Sequence, residues 1–98
     1  MKLAHIVAQL LVDAGINVGE GASAVTCQIG DYRHTVQTYI RNADQPYVEL
    51  YGFPIGKKSE DTTPQLLDIL ESNGLVERTD DGNPRWTKEA LRMSLMRD

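Results

Sequence analysis

Residues 22–41 read ASAVTCQIGDYRHTVQTYIR, and the folding of this stretch decides how the rest of the chain is interpreted. Val25 and Ile29 stand four apart, which puts them on one side of a short helix over 22–29. Gly30 ends that helix, and a tight Gly30-Asp31 turn follows. Over 33–43 the period is again helical: Val36, Tyr39, Ile40 and Ala43 share one side, and Arg33, His34, Gln37, Thr38 and Arg41 share the other. A helix held at a steep angle by a short turn projects its polar side beyond the body of a protein, and the DNA major groove is wide enough to accept it. Arginine donates two hydrogen bonds to guanine, glutamine pairs with adenine, and threonine touches the thymine methyl.

Working outward, Leu3, Ile6, Val7, Leu10, Leu11 and Ala14 form one apolar stripe, so a helix is expected over 2–14, followed by Gly15 and a loop over 17–21. Beyond Pro46 the period changes. Residues 47–53, YVELYGF, are aromatic and β-branched and alternate, as a strand does. Thr63 as N-cap with Pro64 at the first helical position then opens a helix containing Leu66, Leu67, Ile69 and Leu70, closed by Gly74. A hairpin of 75–79 and 84–86 turns at Asp80-Asp81-Gly82-Asn83, and Thr87 caps a last helix carrying Ala90, Leu91, Ser94 and Leu95 on one side. Thr35, Gln37, Val48 and Glu49 recur as Thr63, Gln65, Val76 and Glu77, an echo that helix-then-strand units also produce by composition alone.

Residues 24–40, with Ile29-Gly30 at a turn, Thr35-Val36 inside a second helix, and Val25, Ile29, Val36 and Ile40 at matching separations, resemble the helix-turn-helix of bacterial and phage transcriptional regulators. The resemblance departs from the pattern at Thr26, where a small Ala is usual, and at Asp31, where an apolar residue is usual. It implies a sequence-specific regulator of double-stranded DNA, with contacts from Tyr32, Arg33, His34, Thr35, Gln37, Thr38 and Arg41. In the wider winged-helix family a hairpin follows the recognition helix, so residues 47–58 would supply a wing with Lys57 and Lys58 at its tip. Residues 64–86 are similar to the recognition helix and wing of multiple-antibiotic-resistance-type regulators, but Asp68, Glu71, Glu77, Asp80 and Asp81 would repel phosphate there. The expected fold is therefore mainly α with small β-hairpins. It is a winged-helix-like domain over 1–98, in which 1–58 faces DNA and 59–98 serves packing or dimer contact.

Composition sets the outer limits. At 98 residues, 41% hydrophobic and 24% charged, the chain has the make-up of one ordinary folded domain. The net charge of −4 is unevenly spread: residues 31–58 carry +1, residues 59–84 carry −6, and the last fourteen carry +2. That acidic block supports a rival reading, a protein-binding module that mates with a basic partner or inhibits a nucleic-acid-binding machine. Trp86, Met93, Leu95 and Met96 suggest a homodimer contact. No apolar run approaches the roughly 20 residues of a membrane span, and no signal peptide is read. Cys27 has no disulfide partner, which favours a reducing cytoplasm. Two histidines, one cysteine and loop carboxylates make a thin supply for catalysis; neither enzyme, metal nor cofactor is expected. Small size and compactness suit a phage-associated regulator.

Overall fold

The stretch 22–41 is a β-hairpin, not a pair of helices. A computed structural model describes residues 2–57 and 59–95, for Leu95 the backbone alone, and in it β2 (Ala24–Ile29) runs into β3 (Tyr32–Gln37). Ile29 pairs with Tyr32 across the two-residue loop Gly30-Asp31. Gly30 holds φ at +62° and Asp31 does not enter positive φ, the arrangement of a turn that needs glycine at its first central position. The expected helices over 22–29 and 33–43, and with them the helix-turn-helix fold class, are corrected by this pairing. Val25, Cys27 and Ile29 are two apart, as are His34 and Val36, which is the period of a strand; only the four-residue step from Val25 to Ile29 fits one helix turn as well. Val, Thr and Ile crowd the preceding turn of a helix and prefer extended backbone.

The hairpin is the centre of a four-stranded antiparallel sheet ordered β1-β2-β3-β4, where β1 is Asn17–Glu20 and β4 is Leu50–Pro54. The loop expected over 17–21 is thus largely a strand, and the strand expected over 47–53 begins three residues later. The helix α1 (Leu3–Asp13) forms where its stripe predicts and lays Leu3, Ala4, Val7, Ala8 and Leu11 against β1 and β2. Behind it pack α2 (Thr63–Ser72) and α3 (Lys88–Leu95). A hairpin of β5 (Val76–Arg78) and β6 (Pro84–Trp86) joins those two helices. One core unites Leu3, Val7, Leu11, Val25, Val36, Leu66, Leu70, Leu75, Trp86 and Ala90, each nearly or wholly removed from water. Every such leucine contributes about 1.5–3 kcal/mol by burial.

All three helices contribute to the core on the inner side of the sheet, and among the described residues nothing covers the outer side. The edge of β4 is blunted at both ends. Gln37 N–H donates to the Glu49 carbonyl at 3.0 Å and Ile55 N–H to the Asp31 carbonyl at 2.8 Å, so the odd-numbered residues of β4 bond inward to β3. Leu50, Gly52 and Pro54 therefore turn their backbone groups outward. Just before them, Val48 N–H donates to the Pro84 carbonyl and Trp86 N–H to the Pro46 carbonyl, so β6 covers that part of the edge. Pro54 has no N–H to offer. Only Leu50 and Gly52 are left with open donors, too short a window to invite another strand.

Candidate binding face of the sheet

Alternation along β3 splits the residues expected to share one helix side. Arg33 is exposed on the outer face, and Thr35 and Gln37 lie half-buried on the same face. Their neighbours go the other way: His34 is 1% exposed and Thr38 5%, and Tyr32 is half-buried. Arg41 lies beyond the sheet, exposed, with its guanidinium 3.7 Å from the Glu49 carboxylate. Lys57 is exposed in the turn after β4, and Lys58 lies outside the described residues. The expected wing over 47–58 is not a hairpin; its β-residues form the sheet's fourth strand. The structure thus brings Arg33, Thr35 and Gln37 together, and does not bring His34, Tyr32 or Thr38 to them.

Cross-strand register builds the outer face row by row. Asn17 is opposite Gln28, Gln28 opposite Arg33, and Arg33 opposite Phe53; in the next row Gly19, Thr26, Thr35 and Tyr51 follow in order. Such pairs are neighbours about 4.5–5.5 Å apart at Cβ. Tyr51 is 58% exposed, Phe53 56% and Ile55 48%. Three large apolar groups at alternate positions, two on β4 and Ile55 just after it, make a continuous ribbon, where scattered single residues would call for no explanation. Among the described residues Arg33 has no carboxylate within salt-bridge distance, so its guanidinium is available beside Phe53. The sequence places Tyr51 and Phe53 in the strand expected over 47–53 and Ile55 beyond it in the expected wing, without giving the three a common face. The alternation Tyr51, Phe53, Ile55 across YGFPI was the signal available.

The inner side carries a polar contact that no spacing rule exposes. Thr62, in place of the expected Thr63, occupies the N-cap position of α2 and gives its helix no side-chain bond. Its hydroxyl donates instead to the Ile29 carbonyl at 2.9 Å and lies 2.7 Å from His34 Nε2. One hydroxyl has one proton, so His34 Nε2 is the donor of the pair and Nδ1 carries the lone pair. Nδ1 is buried and has no hydrogen-bond partner. It lies beneath Gly52, where a Cβ would stand 3.3 Å from it and 2.6 Å from the Tyr32 ring, which is why β4 has glycine here. Burial holds the His34 pKa below its ordinary value, and the Asp61 charge works the opposite way. Asp61 is itself held below the usual carboxylate range by the hydroxyl and backbone N–H of Thr63.

The acidic segment is largely engaged in local structure. Arg78 Nε donates to Glu71 at 2.8 Å and its Nη2 approaches Asp68 at 3.5 Å. Asp81 takes bonds from the Thr79 hydroxyl and the Asn83 N–H and is held below the usual carboxylate range by them. Cys27 is buried opposite His34 and its thiol is pushed up to about 11 by burial, which leaves it protonated and unreactive. Among the described residues no three His, Cys, Asp or Glu groups gather closely enough to hold a metal, and no helix is long and apolar enough to cross a membrane. Neither protein-family models, nor curated proteins, nor solved structures give a match to this chain.

Proposed function

We propose that the protein is a small protein-binding module whose partner docks on the outer face of the sheet, over Tyr51, Phe53 and Ile55. The single observation behind this reading is that ribbon of three half-exposed apolar side chains, two on β4 and Ile55 just beyond its end, uncovered by any other element among the described residues. Water-exposed aromatic rings arranged together are the usual centre of a protein interface, because they bury much area with little loss of conformational freedom. Arg33, opposite Phe53, borders the ribbon, so the favoured partner presents apolar side chains flanked by a carboxylate.

A second reading, nucleic-acid binding, draws support from Arg33, Thr35 and Gln37 sharing that face with rings on which bases stack. It ranks lower on charge. Arg33 and Lys57 are the free cations near the face among the described residues, Arg41 is next to Glu49, and affinity for nucleic acid grows with the number of phosphates neutralised. Selection of a random-peptide display library on the whole protein separates the two. The module reading expects apolar peptides with an acidic flank, bound at least about thirtyfold more weakly after Phe53→Lys. Retention on heparin and oligonucleotide binding lost with Arg33→Ala, with no peptide enriched, would replace it by the second reading.

A further inference from the structure

We propose that His34 is an acid-sensitive latch: a proton taken up at Nδ1 has no acceptor in the closed fold, so acid opens β4 from β3. The latch itself stands apart from the docking proposal; its effect on partner binding rests on that proposal, because β4 carries Tyr51 and Phe53.

The geometry constrains where the proton goes. Nε2–H is already committed to Thr62, whose own proton is committed to the Ile29 carbonyl. Protonation can only add a donor at Nδ1, which is buried and faces Gly52. The surroundings offer no relief. Across the ladder on β2 stands the Cys27 thiol, neutral at these pH values. On β3 the Tyr32 ring lies tilted at 5.1 Å, and on β4 Gly52 has no side chain. Ahead of α2 are the Thr62 hydroxyl and the Asp61 carboxylate, the one charge that acts on the ring. The buried positions of α1 and α2 are leucines, alanines and a valine. A cationic ring in that setting keeps an unmet donor unless water reaches it. Beneath Gly52 the space a Cβ would take is filled by the Tyr32 ring, so β4 offers no side chain to meet a new donor there.

The sign follows from linkage. A histidine whose folded pKa is depressed takes up its proton mainly in the open state, so the closed state is fully favoured above the ordinary value of 6.5 and loses ground as pH falls toward the depressed one. Between the two, one proton per opening multiplies the opening constant about tenfold for each pH unit.

The test uses the whole isotopically labelled protein. Imidazole nitrogen NMR at pH 7.5 is expected to show the Nε2–H tautomer, and native-state hydrogen exchange at pH 7.5, 6.5 and 5.5, corrected for intrinsic rates, is expected to show falling protection at Gln37, Tyr51, Phe53 and Ile55. In His34→Gln, which keeps a donor for Thr62 and cannot titrate, the same amides are expected to hold their protection across that range. An Nδ1–H tautomer, a native-state titration near 6.5, or protection that ignores pH in the wild type would overturn the latch. The tautomer and titration need no variant, so poor folding of His34→Gln leaves the test decisive. Peptide binding measured in parallel reports on the docking face alone: its absence at every pH counts against that face and leaves the latch result unchanged.

Discussion

The two faces of the sheet are made by the same strands and differ in every physical respect. Val25, Cys27, His34 and Val36 point inward and are removed from water, while Thr26, Gln28, Arg33, Thr35, Tyr51 and Phe53, each a ladder neighbour of another, point outward. Period-two geometry gives one strand two independent duties, so stability and recognition are carried by alternate residues and can be altered separately. The inner face tolerates few unpaired polar groups, His34 Nδ1 being the case among the described residues. The outer face tolerates three large apolar ones, and that asymmetry is what a docking surface requires.

Substitutions sharpen this contrast in order of size. Val36→Asp would place an uncompensated charge at a wholly buried position, and we expect a loss of more than about 4 kcal/mol, visible as failure to show a cooperative urea transition. Thr62→Val preserves shape and removes the acceptor for His34 Nε2–H; a loss of about 1–3 kcal/mol in urea denaturation is expected. Acidification comes next. Wild-type stability should fall by at most about 1.4 kcal/mol for each pH unit below 6.5 through His34, on top of any carboxylate effects, with that increment missing in His34→Gln. Phe53→Thr, on the outer face, should move the urea midpoint by no more than about 0.5 kcal/mol while weakening the docked peptide. If Phe53→Thr cost as much as Thr62→Val, the outward ribbon would be part of the core and the contrast would collapse.

Where the sequence is read through local signals it is reliable, and the second half shows why. Pro64 at the start of α2, the leucines at 66, 67 and 70, and the turn at 80–83 each act within a few residues, and α2, β5, β6 and α3 form where these signals predict. The first half depends on pairing between distant segments, β3 with β4 above all, which local spacing does not encode. Apolar positions four apart satisfy both a helix and a strand, and Gly30-Asp31 was legible as a hairpin loop only with the alternation of Val25, Cys27 and Ile29. The same arithmetic governs the candidate site. Arg33, Thr35 and Gln37 differ by even numbers and stay on one face of a strand. His34 and Thr38 stand at odd offsets from Arg33, and the strand carries them inward. Thr62, 28 residues from His34, had no sequence signal at all.

The docking face is tested most directly by NMR of the labelled protein titrated with a peptide chosen from the display selection. The account predicts that shift changes gather on Arg33, Thr35, Tyr51, Phe53 and Ile55 and spare α2 and the β5–β6 hairpin. Changes centred on Asp68, Glu71 and Glu77, with the sheet's outer face silent, would contradict it.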